Sequence, residues 1–571
     1  MYADVSHSLG TDLVRGLPLY EQVACQINQS FFGTQSALFS YILYLISAVA
    51  AGPNDGNFGC NRYKNFVYGY LPGPREDSGS VKKGNALHTS RFRKQVLGKR
   101  ILVIGLLATF ASSAAAQGEA ALASARIPQD RMQQYSDLAV KTMQEYLRID
   151  TTNPPGHELR AAQFFKQILD AEGIENQIFE YAPGRADLWA MLPHSTAQEK
   201  RPLILLNHTD VVTSDASHWS VPPFSGEIVK GSMYGRGAQD MKEEGLAQLI
   251  VMLMLKREKV ALDRDVIFLA VADEEAAGTG TDWFITNKRD LLRHAEFLIN
   301  EGGENLLQNG RVRYVGVDVG EKTPLWLHIT AHGRPGHGSR PIPDSAPNHL
   351  IRALNRLIQY QPPPRVLPVV DEFFKTMAPH EPPARARMFA DIKRALQDKR
   401  VQQEVTADES INFLVRDTFS LTMLGGSQQT NVIPPEAWAN VDARLLPGAD
   451  PKEFLESIRR VVNDPTVTVE PENGEFRVAN SSPTDTGLYN AIRKVTRAYF
   501  GDVPVAPRIT SGYTENQRYR PLGIHAYGYT PYTATEEEGS TEHGNDERVR
   551  VEELRRAPKI LYDVVTMVAG Q

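Results

Sequence analysis

Residues 203–212 are LILLNHTDVV, an apolar run that ends in His208 and Asp210. The same arrangement returns in VIFLAVADEE at residues 266–275 and in FLINEGG at residues 297–303. Each run has the length and composition of a buried strand, and acidic or histidine side chains follow it at once. Because an open α/β sheet presents its functional groups where its strands end, these stretches predict such a sheet with one functional edge.

Helix and strand patterns alternate on both sides of these runs. The predicted helices lie at 132–148, 158–172, 245–255, 486–499 and 551–568, and the predicted strands at 202–206, 266–272 and 297–300. Short apolar strands separated by helices are typical of a mixed, largely parallel sheet with helices on both faces. We therefore predict an α/β catalytic domain built from residues 130–320 and 481–571.

The pattern changes over residues 321–480. Strands that alternate apolar and polar residues are predicted at 325–331, 420–424 and 437–444, with helices at 346–357 and 451–462. Strands with one polar face need a covering layer on the other face only. We predict that this segment is an α+β domain inserted into the α/β domain.

Composition excludes several classes of protein. The formal net charge of the 571 residues is −6, which provides no basic surface for nucleic acid, and we expect no such partner. The two cysteines are Cys25 and Cys60. The chain after residue 130 therefore has neither a disulfide framework nor a cysteine-ligated zinc.

The amino-terminal region has the features of an exported protein. Residues 91–116 contain a basic stretch, the apolar run ILVIGLLATF at 101–110 and a small-residue segment. This is the layout of a signal peptide, so we expect a periplasmic or secreted protein with no stable membrane span once mature. Residues 1–90 form a leader of doubtful origin that we expect to be disordered, and a translation start near Val81 would remove most of it. The uncharged run at 36–52 leaves a membrane anchor as the alternative.

Side chains with metal-binding chemistry occur in five short motifs, at His208, Asp210, Asp240, Glu274, Glu275, Glu301 and His543. At one sheet edge, their carboxylates would repel each other unless cations lay between them. The pattern therefore predicts a metal site, and one that holds two ions. Taken singly, each motif also fits a simpler role, such as a surface turn at 208–210, a helix cap at Asp240 or a solvated acidic turn at 273–275.

The adjacent Glu274 and Glu275 can take different roles. One can bind metal while the other, kept off the metal, takes a proton from water, and hydrolysis needs both functions. The order and spacing of the motifs HTDVV, GRGAQDMK, DEE, NEGG and EHGNDERV resemble those of the M20 family of metallopeptidases and amidohydrolases. That family includes carboxypeptidase S, aminoacylases, acetylornithine deacetylase and succinyl-diaminopimelate desuccinylase. The resemblance covers about residues 130–570.

The resemblance implies two zinc ions per subunit, with Co²⁺ or Mn²⁺ as alternatives. The implied ligands are His208 and Glu301 for one ion, Glu275 and His543 for the other, and Asp240 as a bridge between them. The resemblance further implies that Asp210 orients His208 and that Glu274 is the general base and acid.

The resemblance also extends to the inserted domain, which would be a ferredoxin-like lid and dimerisation domain. His337 in GRPGHGSRP would reach the active site of a partner subunit and stabilise the developing oxyanion, so a homodimer is expected. Asn431, Arg444, Gly512 and Thr514 match substrate-binding positions, and Arg444 can hold a carboxylate with two hydrogen bonds. Simpler roles remain open, namely a turn histidine for His337 and a structural ion pair for Arg444.

Two departures from the family pattern stand out. Glu243 and Glu244 follow Lys242 where the family usually has glycine, and about fifty extra residues, rich in charge, lie at 365–415. The expected function is hydrolysis of an amide bond in small peptides or N-acyl amino acids, as in carboxypeptidases and dipeptidases, through water activated by a zinc pair. An N-acyl amino-acid deacylase is the alternative, and a catalytically silent peptide-binding protein is the alternative from another class.

Overall fold

A computed structural model describes residues 122–197, 199–472 and 480–571. The predicted leader at 1–90, the predicted signal peptide at 91–116 and the alternative anchor at 36–52 lie outside these residues. None of the helices in the described ranges combines the length and the apolar character needed to cross a bilayer.

The first half of the described chain alternates helices and strands. Its elements are α1 (Gln129–Leu147), α2 (Leu159–Ala171), β1 (Glu175–Ala182), β2 (Arg185–Leu192), β3 (Lys200–His208), β4 (Ile228–Val229), β5 (Ser232–Tyr234), α3 (Lys242–Arg257), β6 (Arg264–Val271), α4 (Thr279–Lys288), β7 (Phe297–Asn300), β8 (Glu304–Gln308) and β9 (Arg311–Glu321). The predicted strands at 202–206, 266–272 and 297–300 are confirmed as β3, β6 and β7.

The middle segment contains a second set of elements. They are β10 (Thr323–His332), β11 (Gly336–His337), α5 (Ala346–Gln359), α6 (Pro368–Met377), α7 (Pro383–Ala390), α8 (Ile392–Ala395), α9 (Lys399–Ala407), α10 (Glu409–Val415), β12 (Thr418–Gly425), β13 (Val432–Ile433), β14 (Glu436–Leu445), α11 (Pro451–Val462) and β15 (Val467–Pro471).

The last segment returns to the alternation of the first. Its elements are α12 (Gly487–Phe500), β16 (Val505–Thr510), α13 (Asn516–Tyr519), β17 (His525–Gly528), α14 (Glu536–Gly539), β18 (Arg548–Arg550) and α15 (Val551–Ala569). Short 3-10 turns occur at Ala123–Arg126, Ala216–His218, Arg289–Leu292, Ala378–His380 and Arg520–Leu522.

Within the described residues, nine strands form one mixed sheet in the order β1-β2-β6-β3-β7-β17-β9-β16, with β8 paired to β9. The pairs β3–β6, β3–β7, β7–β17 and β9–β16 are parallel. The pairs β1–β2, β2–β6, β8–β9 and β9–β17 are antiparallel. The expectation of a largely parallel sheet was therefore too strong, because β1–β2 and β8–β9 are joined by short turns, which produce antiparallel pairing.

Helices cover both faces of this sheet. On one face α1, α2, α3, α12 and α15 share a single apolar core with the sheet. On the other face, Phe284 of α4 and Tyr519 of α13 pack against apolar side chains of β3 and β6. Because β3 and β6 are covered on both sides, they are continuous apolar runs rather than alternating ones.

A second sheet lies wholly within residues 323–471. Its strand order is β12-β14-β10-β15, and all of its pairs are antiparallel. Helices α5 and α11 pack on one face, where Leu350, Leu354 and Ile458 join the apolar side chains of β10 and β14. With α5 in the crossover from β10 to β12 and α11 in the crossover from β14 to β15, the helices packed on this sheet give it the β-α-β-β-α-β arrangement of ferredoxin-like domains.

The extra residues near 365–415 form the five short helices α6 to α10. Their apolar core, which includes Phe374, Phe389 and Leu414, also contains Ala506 and Ile509 of β16. Arg313 of β9 pairs with Glu381 at 2.7 Å, and Arg493 of α12 pairs with Glu372 at 3.3 Å. This insertion therefore interrupts the second sheet in sequence but packs against the edge of the large sheet.

Candidate metal centre

Three adjacent parallel strands place the core of the site. β3 lies between β6 and β7, so the carboxyl ends of these strands meet at the same edge of the sheet. His208 is the last residue of β3, Glu274 and Glu275 follow β6, and Glu301 follows β7. The sheet edge predicted from the three apolar runs is thus the edge at which these side chains gather.

Asp240 and His543 reach this edge through a small antiparallel ribbon in which β18 pairs with β5. Glu547 supports the ribbon because it accepts hydrogen bonds from the backbone amides of Gly237 and Gln239, at 3.0 and 2.7 Å. Gly237 has a φ of 84°, and a Cβ there would lie 2.7 Å from Val211 Cγ1. A side chain at position 237 would therefore push the segment that carries Asp240 away from β3.

The two oxygens of Asp240 face different histidines. Oδ1 lies 2.9 Å from His208 Nε2, and Oδ2 lies 2.8 Å from His543 Nε2. Glu301 Oε2 lies 3.3 Å from His208 Nε2, and Glu275 Oε2 lies 3.3 Å from His543 Nε2. The side chains form two groups of three, His208–Asp240–Glu301 and Asp240–Glu275–His543, each with one ligand atom per residue within 4.8 Å of the others.

This donor set fits two metal ions. Two imidazole nitrogens and three carboxylates are the ligands that Zn²⁺, Co²⁺ or Mn²⁺ accept. Glu275 Oε1 is buried and has no hydrogen-bond partner among the described residues, so protein atoms do not offset the cost of burying it. A bound cation would offset that cost. The geometry therefore fits a dinuclear centre in which Asp240 is shared.

Charges in the metal-free site perturb each other strongly. Burial opposes ionisation of Asp240, but hydrogen bonds to His208 and His543 hold its pKa below the ordinary range. Hydrogen bonds to Asp240 and Glu275 raise the pKa of His543 to about 10. Burial favours neutral His208, yet the charge of Glu301 and hydrogen bonds to Asp210 and Asp240 raise its pKa well above its usual value.

Asp210 lies behind His208. The ring Nδ1 of His208 is 3.1 Å from the backbone oxygen of Asp210 and 3.5 Å from its carboxylate. The same carboxylate accepts hydrogen bonds from the backbone amides of Glu274 and Glu275, both at 3.1 Å. Asp210 therefore contacts both the histidine and the loop that follows β6.

Glu274 lines the cleft beside the two groups of ligands. Burial and the charges of Glu301 and Glu515 raise the pKa of its carboxyl well above the ordinary value. Glu515 was not predicted from the sequence, although it directly follows Thr514, a predicted substrate contact. Its side chain is buried, accepts a hydrogen bond from Asn300 at 2.9 Å, and forms a third acidic group with Glu274 and Glu301.

The site opens into a cleft of about 1140 Å³ that is also lined by Arg444, Gly512 and Thr514. Arg444 is half-buried and holds Asp442 through two hydrogen bonds of 2.8 and 3.0 Å. The amide and hydroxyl of Thr514 both donate to Glu321, so these groups are already engaged. The residues predicted to bind substrate here therefore lie at the cleft, but all three have protein partners, because the backbone amide of Gly512 donates to Thr510 Oγ1 at 3.2 Å.

His337 and Asn431 do not line this cleft. They lie together in the ribbon of β11 and β13, where Gly338 N donates to Asn431 O at 2.8 Å and His337 pairs with Val432. Both side chains are exposed. Glu243 and Glu244, the departures noted in the sequence, are buried in the first turn of α3 and line the cleft.

Comparisons with known proteins agree with this geometry. The model of peptidase family M20/M25/M40 matches residues 204–567. Human aminoacylase-1 is 27% identical over 416 residues, which cover 72% of this chain and 90% of the relative. The N-fatty-acyl-amino acid synthase/hydrolase PM20D1 of Xenopus tropicalis is 28% identical over 368 residues, which cover 62% of this chain and 70% of the relative.

Among solved structures, the M20 family metallo-carboxypeptidase Sso-CP2 of Sulfolobus solfataricus superposes with a TM-score of 0.56. It is 19% identical and covers 75% of this chain and 99% of its own, which shows a shared fold. The family is metal-dependent, and its members hydrolyse C–N amide bonds. The chain therefore belongs to peptidase family M20/M25/M40 and is a hydrolase of amide bonds.

Proposed function

We propose that this chain is a two-zinc hydrolase that cleaves the amide bond of small peptides or N-acyl amino acids. The observation that carries the proposal is the position of Asp240, whose two oxygens face His208 and His543 at 2.9 and 2.8 Å. A carboxylate that lies between two histidines, each of which has a further acidic neighbour, is placed to bridge two metal ions. Co²⁺ or Mn²⁺ can replace zinc with the same ligands.

Bound zinc would acidify water and polarise the scissile carbonyl. Glu274 is the group that handles the proton: it takes one from the attacking water and gives it to the leaving amine. Its position suits this role because it lines the cleft and is absent from both groups of three ligands.

Arg444 is the proposed contact for the substrate carboxylate. Its side chain is half-buried at the cleft, and Asp442 fixes its orientation on β14. A guanidinium held from one side can still present its free edge to a ligand. Deacylation of N-acyl amino acids is the second candidate, because aminoacylase-1 relatives match this chain over most of their length.

A panel of dipeptides, acetylated amino acids and long-chain acyl amino acids tests the proposed reaction. Glu274→Gln is expected to lower kcat by roughly 10²–10⁴-fold while the metal content stays unchanged, because the amide cannot act as a base. Glu536→Gln is the matched control, since Glu536 also lines the cleft but belongs to neither ligand group. Turnover in Glu274→Gln equal to that of the control would remove Glu274 from the mechanism. A metal-loaded wild type that binds these compounds without cleaving them would favour a binding protein.

We further propose that residues 321–480 form a lid and dimerisation domain. β12 is an edge strand of the second sheet, and Met423 and Leu424 on it are 53% and 63% exposed. An exposed apolar edge is a surface for pairing with a second copy of the chain. Such pairing would let His337, which lies outside its own cleft, serve the active site of the partner.

Mixing two inactive variants tests this exchange. Glu274→Gln and His337→Ala should each be inactive alone, whereas their mixture should regain roughly a quarter of the wild-type rate through mixed dimers. A mixture as inactive as its components, in a sample shown to exchange subunits, would mean that His337 does not act in the active site of the partner.

We also propose that the protein is exported to the periplasm or secreted after cleavage near residue 116. The basis is the charge and hydropathy pattern of residues 91–116. Mass spectrometry of the native protein should give an amino-terminal peptide that starts just after this segment. A peptide from residues 1–60 would contradict the proposal.

A further inference from the structure

Asn153 lies in the turn TTNPPG between α1 and α2, and its side chain is buried beside the metal centre. The turn is attached to the end of β3 by backbone hydrogen bonds. Asn153 N donates to Val211 O at 2.9 Å, and Val211 N donates to Thr151 O at 3.3 Å. These bonds use main-chain atoms alone, so they persist when the side chain of Asn153 is changed.

The side-chain amide of Asn153 joins two loops of the site. Its Nδ2 donates to Asp210 Oδ2 at 2.9 Å and to Asp273 Oδ1 at 2.8 Å. Asp210 follows His208 at the end of β3, whereas Asp273 immediately precedes Glu274 and Glu275 after β6. One amide group therefore connects the loop behind a metal ligand to the loop that carries both the base and another ligand.

The two carboxylates that Asn153 joins are both buried and negatively charged. Asp273 is also held by Arg185 at 2.7 Å, and Arg185 in turn pairs with the buried Glu158. Asp210 pairs with no arginine or lysine: besides Asn153, its hydrogen-bond donors are the backbone amides of Glu274 and Glu275, and His208 Nδ1 lies 3.5 Å from its Oδ1. Without the amide of Asn153, Asp210 and Asp273 would face each other with no donor between them, and like charges so close repel.

The backbone conformation of the loop after β6 also needs stabilising contacts. Asp273 has a φ of 70°, a left-handed conformation that is unfavourable for a non-glycine residue. This conformation turns the chain so that the amides of Glu274 and Glu275 point at Asp210. Hydrogen bonds to Asp273 from Asn153, Arg185 and Thr279 hold it in place.

We propose that Asn153 is a positioning residue for the metal centre and the general base. Its amide fixes Asp210 relative to Asp273, and so sets the distance between His208 on one side and Glu274 and Glu275 on the other. It touches none of the ligands and acts through the two aspartates. The inference rests on the proposed function, because it assigns Asn153 to the geometry of that centre.

Two substitutions separate hydrogen bonding from simple packing. Asn153→Asp keeps the shape of the side chain but removes both donors, whereas Asn153→Ala removes the shape as well. Asn176→Ala is the matched control, because Asn176 also donates to a carboxylate, Asp170, and to a backbone oxygen, but lies at the start of the edge strand β1. Zinc affinity is measured on chelator-treated protein by competition with a chromogenic chelator, alongside kcat, KM and the melting temperature of the metal-free form.

Both Asn153 variants are expected to bind zinc about 10–100-fold more weakly than wild type, as happens when groups behind metal ligands are removed. The Asp variant should be at least as impaired as the Ala variant, and kcat should fall more than KM rises. The control should keep its zinc affinity. A packing role would instead leave the Asp variant close to wild type and the Ala variant worst, which overturns the proposal.

Zinc affinity and kcat within twofold of wild type in both variants would also overturn it. A different result would contradict the proposed function. If the wild-type chain bound no metal, there would be no metal centre, and this inference would fail together with the proposed function. Metal binding in wild type with no effect of either Asn153 variant would remove the inference alone.

Discussion

Asp240 is the side chain that belongs to both groups of proposed metal ligands. Each of its oxygens lies within 3 Å of a different histidine nitrogen, so replacing its carboxylate disturbs both groups of ligands at once. Glu301 and Glu275 each belong to one group only. Loss of Asp240 should therefore remove both ions, whereas loss of Glu301 or Glu275 should weaken one more than the other.

Zinc binding is expected to release protons and to strengthen as pH rises. In the metal-free site the pKa of His543 is about 10, so its imidazole is protonated at pH 7, and zinc requires the neutral form. Apparent affinity should increase by about tenfold per pH unit for each proton displaced between pH 6 and pH 9. Calorimetry in buffers of different ionisation enthalpy measures the number of protons, and His543→Ala should reduce it. An affinity that does not change over this range would contradict the assignment of His543 as a ligand.

Individual site residues differed in how well the sequence predicted them. His208, Asp240, Glu275 and Glu301 were predicted because each follows an apolar run or a glycine-rich turn, and His543 because its motif resembles that of the M20 family. The structure brings the five side chains together. Asn153 and Glu515 were missed because their importance comes from contacts with residues far away in sequence, which a local pattern does not record. The sequence predicted Thr514 as a substrate contact, but its hydrogen bonds to Glu321 emerge only from the fold.

At the scale of elements, the predicted bounds were accurate where the residues at the ends of an element mark its start and its stop. The helix predicted at 451–462 has those bounds in the structure, because an aspartate cap at Asp450 and a left-handed residue at Asn463 mark its ends. The direction of the strands was less predictable. Antiparallel pairing of β1 with β2 depends on a two-residue turn, which apolar periodicity does not reveal.

A substitution can test how helices α6 to α10 pack against β16 of the large sheet. Phe374 of α6 is fully buried in a core that includes Ala506 and Ile509 of β16. Phe374→Ala should lower the free energy of unfolding by roughly 3–5 kcal/mol, because it leaves a cavity between the insertion and the large sheet. Chemical denaturation checks the value, with Phe373→Ala as a control, since Phe373 is only partly buried. A loss no greater than that of the control would mean that the insertion contributes little to this core.

Across the whole molecule, the metal ligands span residues 208 to 543 and come from the ends of separate strands and loops. Ions bound between them would link the first and last segments of the large domain. The sequence predicted this convergence from the order of the motifs. It did not predict that the extra helices would pack on the large sheet, because their attachment in sequence lies within the second sheet.

Zinc should therefore stabilise the fold as a whole. Any ligand that binds only the folded state raises its stability, by about 2.7 kcal/mol when the free concentration is 100 times the dissociation constant. The melting temperature should fall after chelation and return when zinc is added. Asp240→Asn should show no such shift, and a wild-type melting temperature unaffected by chelation and by zinc would argue against a site that ties these segments together.

Anomalous diffraction from zinc-loaded crystals, recorded on both sides of the zinc absorption edge, tests the central arrangement most directly. We expect two peaks per chain, one between His208 and Glu301 and one between Glu275 and His543, with Asp240 in contact with both. A single peak that Asp240 does not share, or peaks remote from all five side chains, would contradict the proposed two-metal centre.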